Sequence, residues 1–179
     1  HIERFNPAVL ELKRRVEAGE LGRVFQVHAR RVGPFPERVR DVGVVLDLAP
    51  HDIDVMRFIL GSEVVRVQAE TEQRINTEYE DMLAGLLRFA NGAVGSIEAT
   101  RNAYGRNNFL TFEIHGDRGS IFFNYERRDE LQVMFADDPA DARGVEGLRE
   151  QGHAPLVHRW VRRVDAERVA ERAIGRRDP

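Results

Sequence analysis

The chain has 179 residues, 42% of them hydrophobic and 32% charged, with a formal net charge of -3. That length allows one domain with a sizeable core, and that charge draws it neither to nucleic acid nor to an anionic membrane. The chain has no cysteine, which excludes disulfides, thiolate nucleophiles and cysteine metal sites. No apolar run approaches the roughly 20 residues of a membrane-spanning helix, no secretory leader is visible, and a cytoplasmic protein is expected.

Asn6-Pro7 marks a helix start, because Asn can cap and Pro suits the first helical position. Val9, Leu10, Leu12, Val16 and Ala18 supply the apolar stripe, and Gly19 the stop. From Val24 to Val32 the period becomes two, with Phe25, Val27 and Ala29 on one face and Gln26, His28 and Arg30 on the other. Gly33-Pro34-Phe35-Pro36 ends that strand, and a charged loop follows. The stretch from about Val44 to Leu60 reads as helix closed by Gly61, in two pieces that meet near Ala49-Pro50, since proline is not tolerated in mid-helix.

Strands are predicted from Val64 to Glu72, Asp81 to Phe89 and Ala93 to Ala103, the last two joined by the hairpin signal Asn91-Gly92. Phe109 to His115 and Ser120 to Tyr125 flank the tight Gly116-Asp117-Arg118-Gly119, and Leu131 to Phe135 continues the meander. Residues 137–152 read as a polar loop. From Pro155, the spacing of Leu156, Val157, Trp160, Val161 and Val164 predicts an amphipathic helix. The order implies one α+β domain over residues 1–179, a large, mainly antiparallel open sheet with helices on one face.

The densest chemistry lies in Leu46-Asp47-Leu48-Ala49-Pro50-His51-Asp52-Ile53-Asp54-Val55. Asp47 and His51 are four apart, which puts them on one helix face. A carboxylate there can orient an imidazole and stabilise its protonated form, as a general base near neutral pH requires. A buried structural ion pair is the competing reading. Asp52 reads as an acid placed in a first helical turn by the helix dipole, while Asp54 is left open between Arg57 and the backbone near Phe58. No metal site is expected, because His28 and His115 stand on other elements and nothing fixes them near His51. No G-x-S-x-G, G-x-G-x-x-G or Walker pattern is present. All but Lys13 of the 27 basic residues are arginine, so a catalytic lysine has almost no candidate here.

The run His1-Ile2-Glu3-Arg4-Phe5-Asn6-Pro7, then Gly19-Glu20-Leu21-Gly22 before a strand, then Asp47 through Asp54, then Gly116-Asp117-Arg118-Gly119, resembles the C-terminal domain of the glucose–fructose oxidoreductase/inositol dehydrogenase (Gfo/Idh/MocA) family. The resemblance implies a Rossmann domain ahead of His1, outside this chain, that binds NAD or NADP. Within this chain it implies no cofactor-binding residues. It implies His51 as the acid/base that takes the proton from a sugar hydroxyl, and Asp47 as the group that orients His51 and binds that hydroxyl. It further implies Tyr104 as a substrate contact and the sheet as the surface of a homo-oligomer.

The segment from Gly33 to Gly43 looks like members that oxidise nucleotide-sugars, notably the UDP-N-acetylglucosamine 3-dehydrogenase type. There Arg30, Arg38 and Arg40 could meet a diphosphate. The expectation is therefore the substrate-binding half of an NAD(P)-dependent dehydrogenase of a sugar or nucleotide-sugar, inactive on its own. The alternative is a noncatalytic sugar-binding or dimerisation module of the same fold. Phe109, Phe122, Phe123 and Phe135 on neighbouring strands either form an apolar face for self-association or pack under the helices.

Overall fold

A computed structural model describes residues 2–36, 39, 41–75, 78–105, 109–125, 130–135 and 160–163. A short 3-10 turn, Ile2–Phe5, leads into α1, Pro7–Glu17. The Asn6 side chain accepts from the Ala8 amide at 3.0 Å, so the cap read in the sequence is made. Strand β1 is Val24–Val32, and the helical stretch divides into α2, Val44–Asp47, and α3, Ala49–Leu60. Pro50 sits in the first turn of α3, where its missing N–H costs nothing, and Gly61 closes the helix in the left-handed conformation.

Seven further strands follow: β2 Val64–Glu72, β3 Met82–Phe89, β4 Val94–Thr100, β5 Phe109–Gly116, β6 Gly119–Asn124, β7 Glu130–Phe135 and β8 Trp160–Arg163. All eight form one sheet in the order β2-β3-β4-β1-β5-β6-β7-β8. Every pairing is antiparallel except β1 with β4, which run parallel. The sheet is thus mixed, with its one parallel pair inside it rather than at an edge.

The last strand corrects the sequence reading. Trp160 and Val161 lie not in an amphipathic helix but in β8, paired with Val133 and Gln132 of β7. Four residues carry too little periodicity to separate a period of two from one of 3.6, and a free strand edge on β7 decides the matter. The polar loop read at 137–152 and the rest of the expected helix lie outside the described residues.

One face of the sheet is buried. Val27, Ala29, Leu87, Ile97, Ala99, Phe112, Ile114, Ile121 and Phe123 join Val9, Leu12, Val55, Met56 and Ile59 of the helices in one core. The four phenylalanines do not share a face. Phe123 is in the core and Phe135 packs against it. Phe122 lies on the other face, against His115, with ring centroids 5.7 Å apart. Phe109 alternates with the buried Leu110 and Phe112 and so falls on the face away from the helices. Phe25 is also displaced from its expected place. It is 47% exposed, because the register with β5 slips between Val24 and Gln26.

Two turns singled out in the sequence lock together. The Arg23 amide donates to Asp117 Oδ1 at 2.9 Å, the Arg118 amide to the Leu21 carbonyl at 3.0 Å, and the Arg118 guanidinium to the Gly19 carbonyl. Gly22 has φ +68°, and a Cβ there would come within 1.8 Å of Asp117 Oδ1. The pairing Gly19-Glu20-Leu21-Gly22 with Gly116-Asp117-Arg118-Gly119 therefore has a packing cause.

Candidate active site

Because β1 and β4 are parallel, both chains leave the sheet at the same end. The Gly33 amide donates to the Thr100 carbonyl and the Ala103 amide to the Gly33 carbonyl, each at 3.0 Å. The start of α3 lies above this end. The exits of parallel strands are where open sheets commonly bind ligands, and here the strand exits carry arginines toward the motif helix.

Asp47 ends α2 and His51 occupies the first turn of α3. The short α2 has no side-chain cap of its own. Glu80, just ahead of β3, supplies one: its carbonyl takes the Val44 amide at 3.0 Å and its Oε1 the Val45 amide at 3.1 Å. Gly43 makes room, since a Cβ there would sit 2.0 Å from Glu80 Oε1.

The Asp47 carboxylate accepts from the Arg101 guanidinium, one residue past β4. Arg101 also donates to the Val42 carbonyl at 2.8 Å. The Arg101 side chain is 4% exposed and that of Asp47 38%. His51 Nδ1 is buried and has no hydrogen-bond partner among the described residues. A buried ring nitrogen is costly unless a hydrogen-bond partner serves it. Asp47 is thus held from behind, with His51 nearby on the same helical stretch and not bonded to it through Nδ1.

The two other acids of the motif have structural partners. Asp52 is fully buried, and Arg31 of β1 donates to it through Nη2 at 2.7 Å and Nε at 3.1 and 3.2 Å. Burial pushes the Asp52 carboxyl above the usual carboxylate range even with Arg31 beside it. Arg31 also meets Glu3, whose other oxygen accepts from the Tyr125 hydroxyl. Asp54 takes Arg4 in a two-pronged pair at 2.6 and 2.7 Å, and that hydrogen bonding lowers its carboxyl pKa. Arg57, one partner weighed for Asp54 in the sequence, pairs instead with Glu63.

The remaining sequence candidates are scattered. Tyr104 is 80% exposed, in the turn three residues past Arg101 and at the same end of the sheet. Arg30 projects to the face opposite the helices, where it pairs with Glu98 at 2.9 Å. It is not brought together with Asp47 and His51. Arg38 and Arg40 lie outside the described residues. Sequence reasoning missed Arg101, which stands 54 positions from Asp47. Its only local signal is a charge directly after a strand of buried alternate residues. Among the described residues, no group of three or more His, Asp or Glu side chains could hold a metal ion. None of the described helices is long and apolar enough to cross a membrane.

Known proteins carry the same arrangement of sequence and fold. The chain is 39% identical over 183 aligned residues to the levoglucosan dehydrogenase of Pseudarthrobacter phenanthrenivorans, covering 80% of this chain and 47% of that protein. It is 31% identical to the scyllo-inositol 2-dehydrogenase (NAD(+)) of Bacillus subtilis, covering 75% of this chain and 42% of that one. A solved levoglucosan dehydrogenase in complex with NADH and L-sorbose superposes with a TM-score of 0.73 at 38% identity, over 90% of this chain and 44% of that structure. The chain therefore spans about half the length of the relatives it matches, or less. The family model for the GFO/IDH/MocA C-terminal domain matches residues 9–122, and the chain belongs to that family.

Proposed function

We propose that this chain is the substrate-binding and proton-transfer part of a dehydrogenase that oxidises a secondary hydroxyl of a sugar or cyclic polyol. The observation that carries the reading is the junction of α2 and α3, where His51 lies four residues from a carboxylate that Arg101 holds and that stays accessible. In an alcohol oxidation the O–H proton must leave as the C–H hydride departs. His51 takes that proton, and Asp47 fixes the hydroxyl and offsets the charge gained by the imidazole. A nicotinamide supplies the hydride acceptor. Among the described residues no strand runs into a Gly-rich turn and helix, so these residues do not fit the dinucleotide, and NAD or NADP falls to sequence outside them.

Similarity to the levoglucosan and scyllo-inositol dehydrogenases favours a free sugar or polyol as substrate. The nucleotide-sugar reading rests on Arg30, Arg38 and Arg40, and Arg30 points to the opposite face of the sheet. Self-association through the open sheet face belongs to the same proposal.

The test is His51→Asn in the whole gene product, assayed with NAD+ and NADP+ against levoglucosan, scyllo-inositol and myo-inositol. Loss of a general base predicts kcat lower by about 10²–10⁴-fold with substrate binding retained. Unchanged turnover would overturn the catalytic reading and leave a noncatalytic binding or dimerisation module.

A further inference from the structure

We infer that Arg101 is the positioning residue of this site, the group that sets where the Asp47 carboxylate points. The inference rests on the reading of Asp47 and His51 as the reacting pair. Arg101 is held at three points. Its Nη1 donates to the Val42 carbonyl at 2.8 Å, its Nη2 donates to Asp47 Oδ2, and its backbone amide donates to the Asp81 carbonyl at 2.9 Å. Asp81 is itself fully buried, and its carboxylate takes the amides of Arg74 and Ile75 and the Asn102 side chain at 2.6–3.0 Å. The base of Arg101 is therefore anchored, and its rigid fork reaches two acceptors on either side of α2, the Val42 carbonyl just before it and the carboxylate of Asp47 at its end.

The distribution of burial gives the direction of the effect. Asp47 is accessible enough to be solvated without help, whereas Arg101 is almost wholly enclosed. A guanidinium is not buried behind an exposed acid for the acid's solvation. Its consequence is orientational: Oδ2 is engaged from inside, and the side chain loses the freedom to rotate away from the outer end of the helix. A lysine could not reproduce this, because one ammonium cannot span a backbone carbonyl and a carboxylate with the same planar geometry.

A merely structural role, pinning the segment at Val42, would lower stability and leave turnover alone. The two roles separate in a double-mutant cycle on the whole gene product, with levoglucosan or scyllo-inositol as substrate. Arg101→Gln is expected to lower kcat by about 10²-fold, the scale of a small misplacement of a reacting group, with KM changed by less than about threefold. In an Asp47→Asn background the same substitution should lower kcat by less than about threefold, because residues that act through one another are not additive. Arg101→Lys, which keeps the charge and loses the fork, should lose kcat as well, and it serves where Arg101→Gln does not fold.

Equal losses in both backgrounds would overturn the inference, as would a loss of thermal stability with kcat intact. If Asp47→Asn and His51→Asn lose turnover while both Arg101 variants keep it, the failure belongs to Arg101 alone. If Asp47→Asn and His51→Asn keep full turnover, the reading of the pair falls and this inference with it.

Discussion

Asp47 and Asp52 stand five residues apart on one helical stretch, and each is gripped by an arginine from the parallel pair, Arg31 within β1 and Arg101 just past the end of β4. The two pairs are built in opposite senses. At Asp52 the acid is fully enclosed and Arg31 keeps 16% of its side chain exposed. At Asp47 the arginine is enclosed and the acid keeps 38%. The partner nearer the surface is the one left available to something outside the chain. Asp52 holds the helix to the sheet, and Asp47 presents its carboxylate at the strand exits. Two acids in one short motif thus divide between anchoring and presentation, and burial order separates them where sequence spacing does not.

The sharpest way to break the comparison is to remove each arginine. Arg31→Met strands a fully buried carboxylate, and loss of one partner of such a pair costs roughly 3–5 kcal/mol. Arg101→Met leaves Asp47 able to recover water, so its stability cost is that of an unsatisfied Val42 carbonyl, about 1–3 kcal/mol. Urea unfolding of the two variants should rank them in that order. The double variant Arg31→Met/Asp52→Leu should recover much of the first loss, because it removes the orphaned charge as well.

Acid titration sharpens the same contrast with the third acid of the motif. Arg4 hydrogen bonds hold Asp54 below its ordinary pKa, and Arg14 does the same for Glu11. For a carboxyl lowered on folding, the stabilisation is present above the unfolded value of about 4 and is lost as the pH falls through the folded value. Asp52, raised by burial, works the other way. Its contribution is complete below about pH 4 and is lost as the pH rises through its folded value. Thermal midpoints followed from pH 3 to pH 8 should therefore fall less steeply toward acid in Asp54→Asn than in the parent. Asp52→Asn should remove the component of opposite slope.

Much of this frame was legible in the residues. Asn6-Pro7, Asn91-Gly92 and Gly61 each specify a local geometry that tertiary packing then leaves alone, and the helices and the β3–β4 hairpin follow from them. The parallel pairing of β1 with β4 was not legible, because nothing local distinguishes it from another antiparallel neighbour. Its consequences were hidden with it. Arg31 and Arg101 reach Asp52 and Asp47 across 21 and 54 positions, and Arg4 reaches Asp54 across 50. Asp52 was rightly placed in a first helical turn, but the helix dipole is the smaller part of its environment. The strand at Trp160–Arg163 was misread because its period is set by β7 rather than by its own four residues.

The smallest effect is expected at Arg30, and there it is informative. Arg30 and Glu98 pair on the face away from the helices with side chains 53% and 43% exposed. An ion pair so placed contributes about 0–1 kcal/mol and less at high salt. Arg30→Ala should leave the thermal midpoint nearly unchanged. If the reacting pair sits at the strand exits on the helix side, the same variant should also leave kcat and KM unchanged for a free sugar or polyol. A large rise in KM confined to nucleotide-sugars would put a diphosphate within reach of the open face. Arginine position in the sheet would then have to be weighed beside the Asp47 site in fixing the substrate.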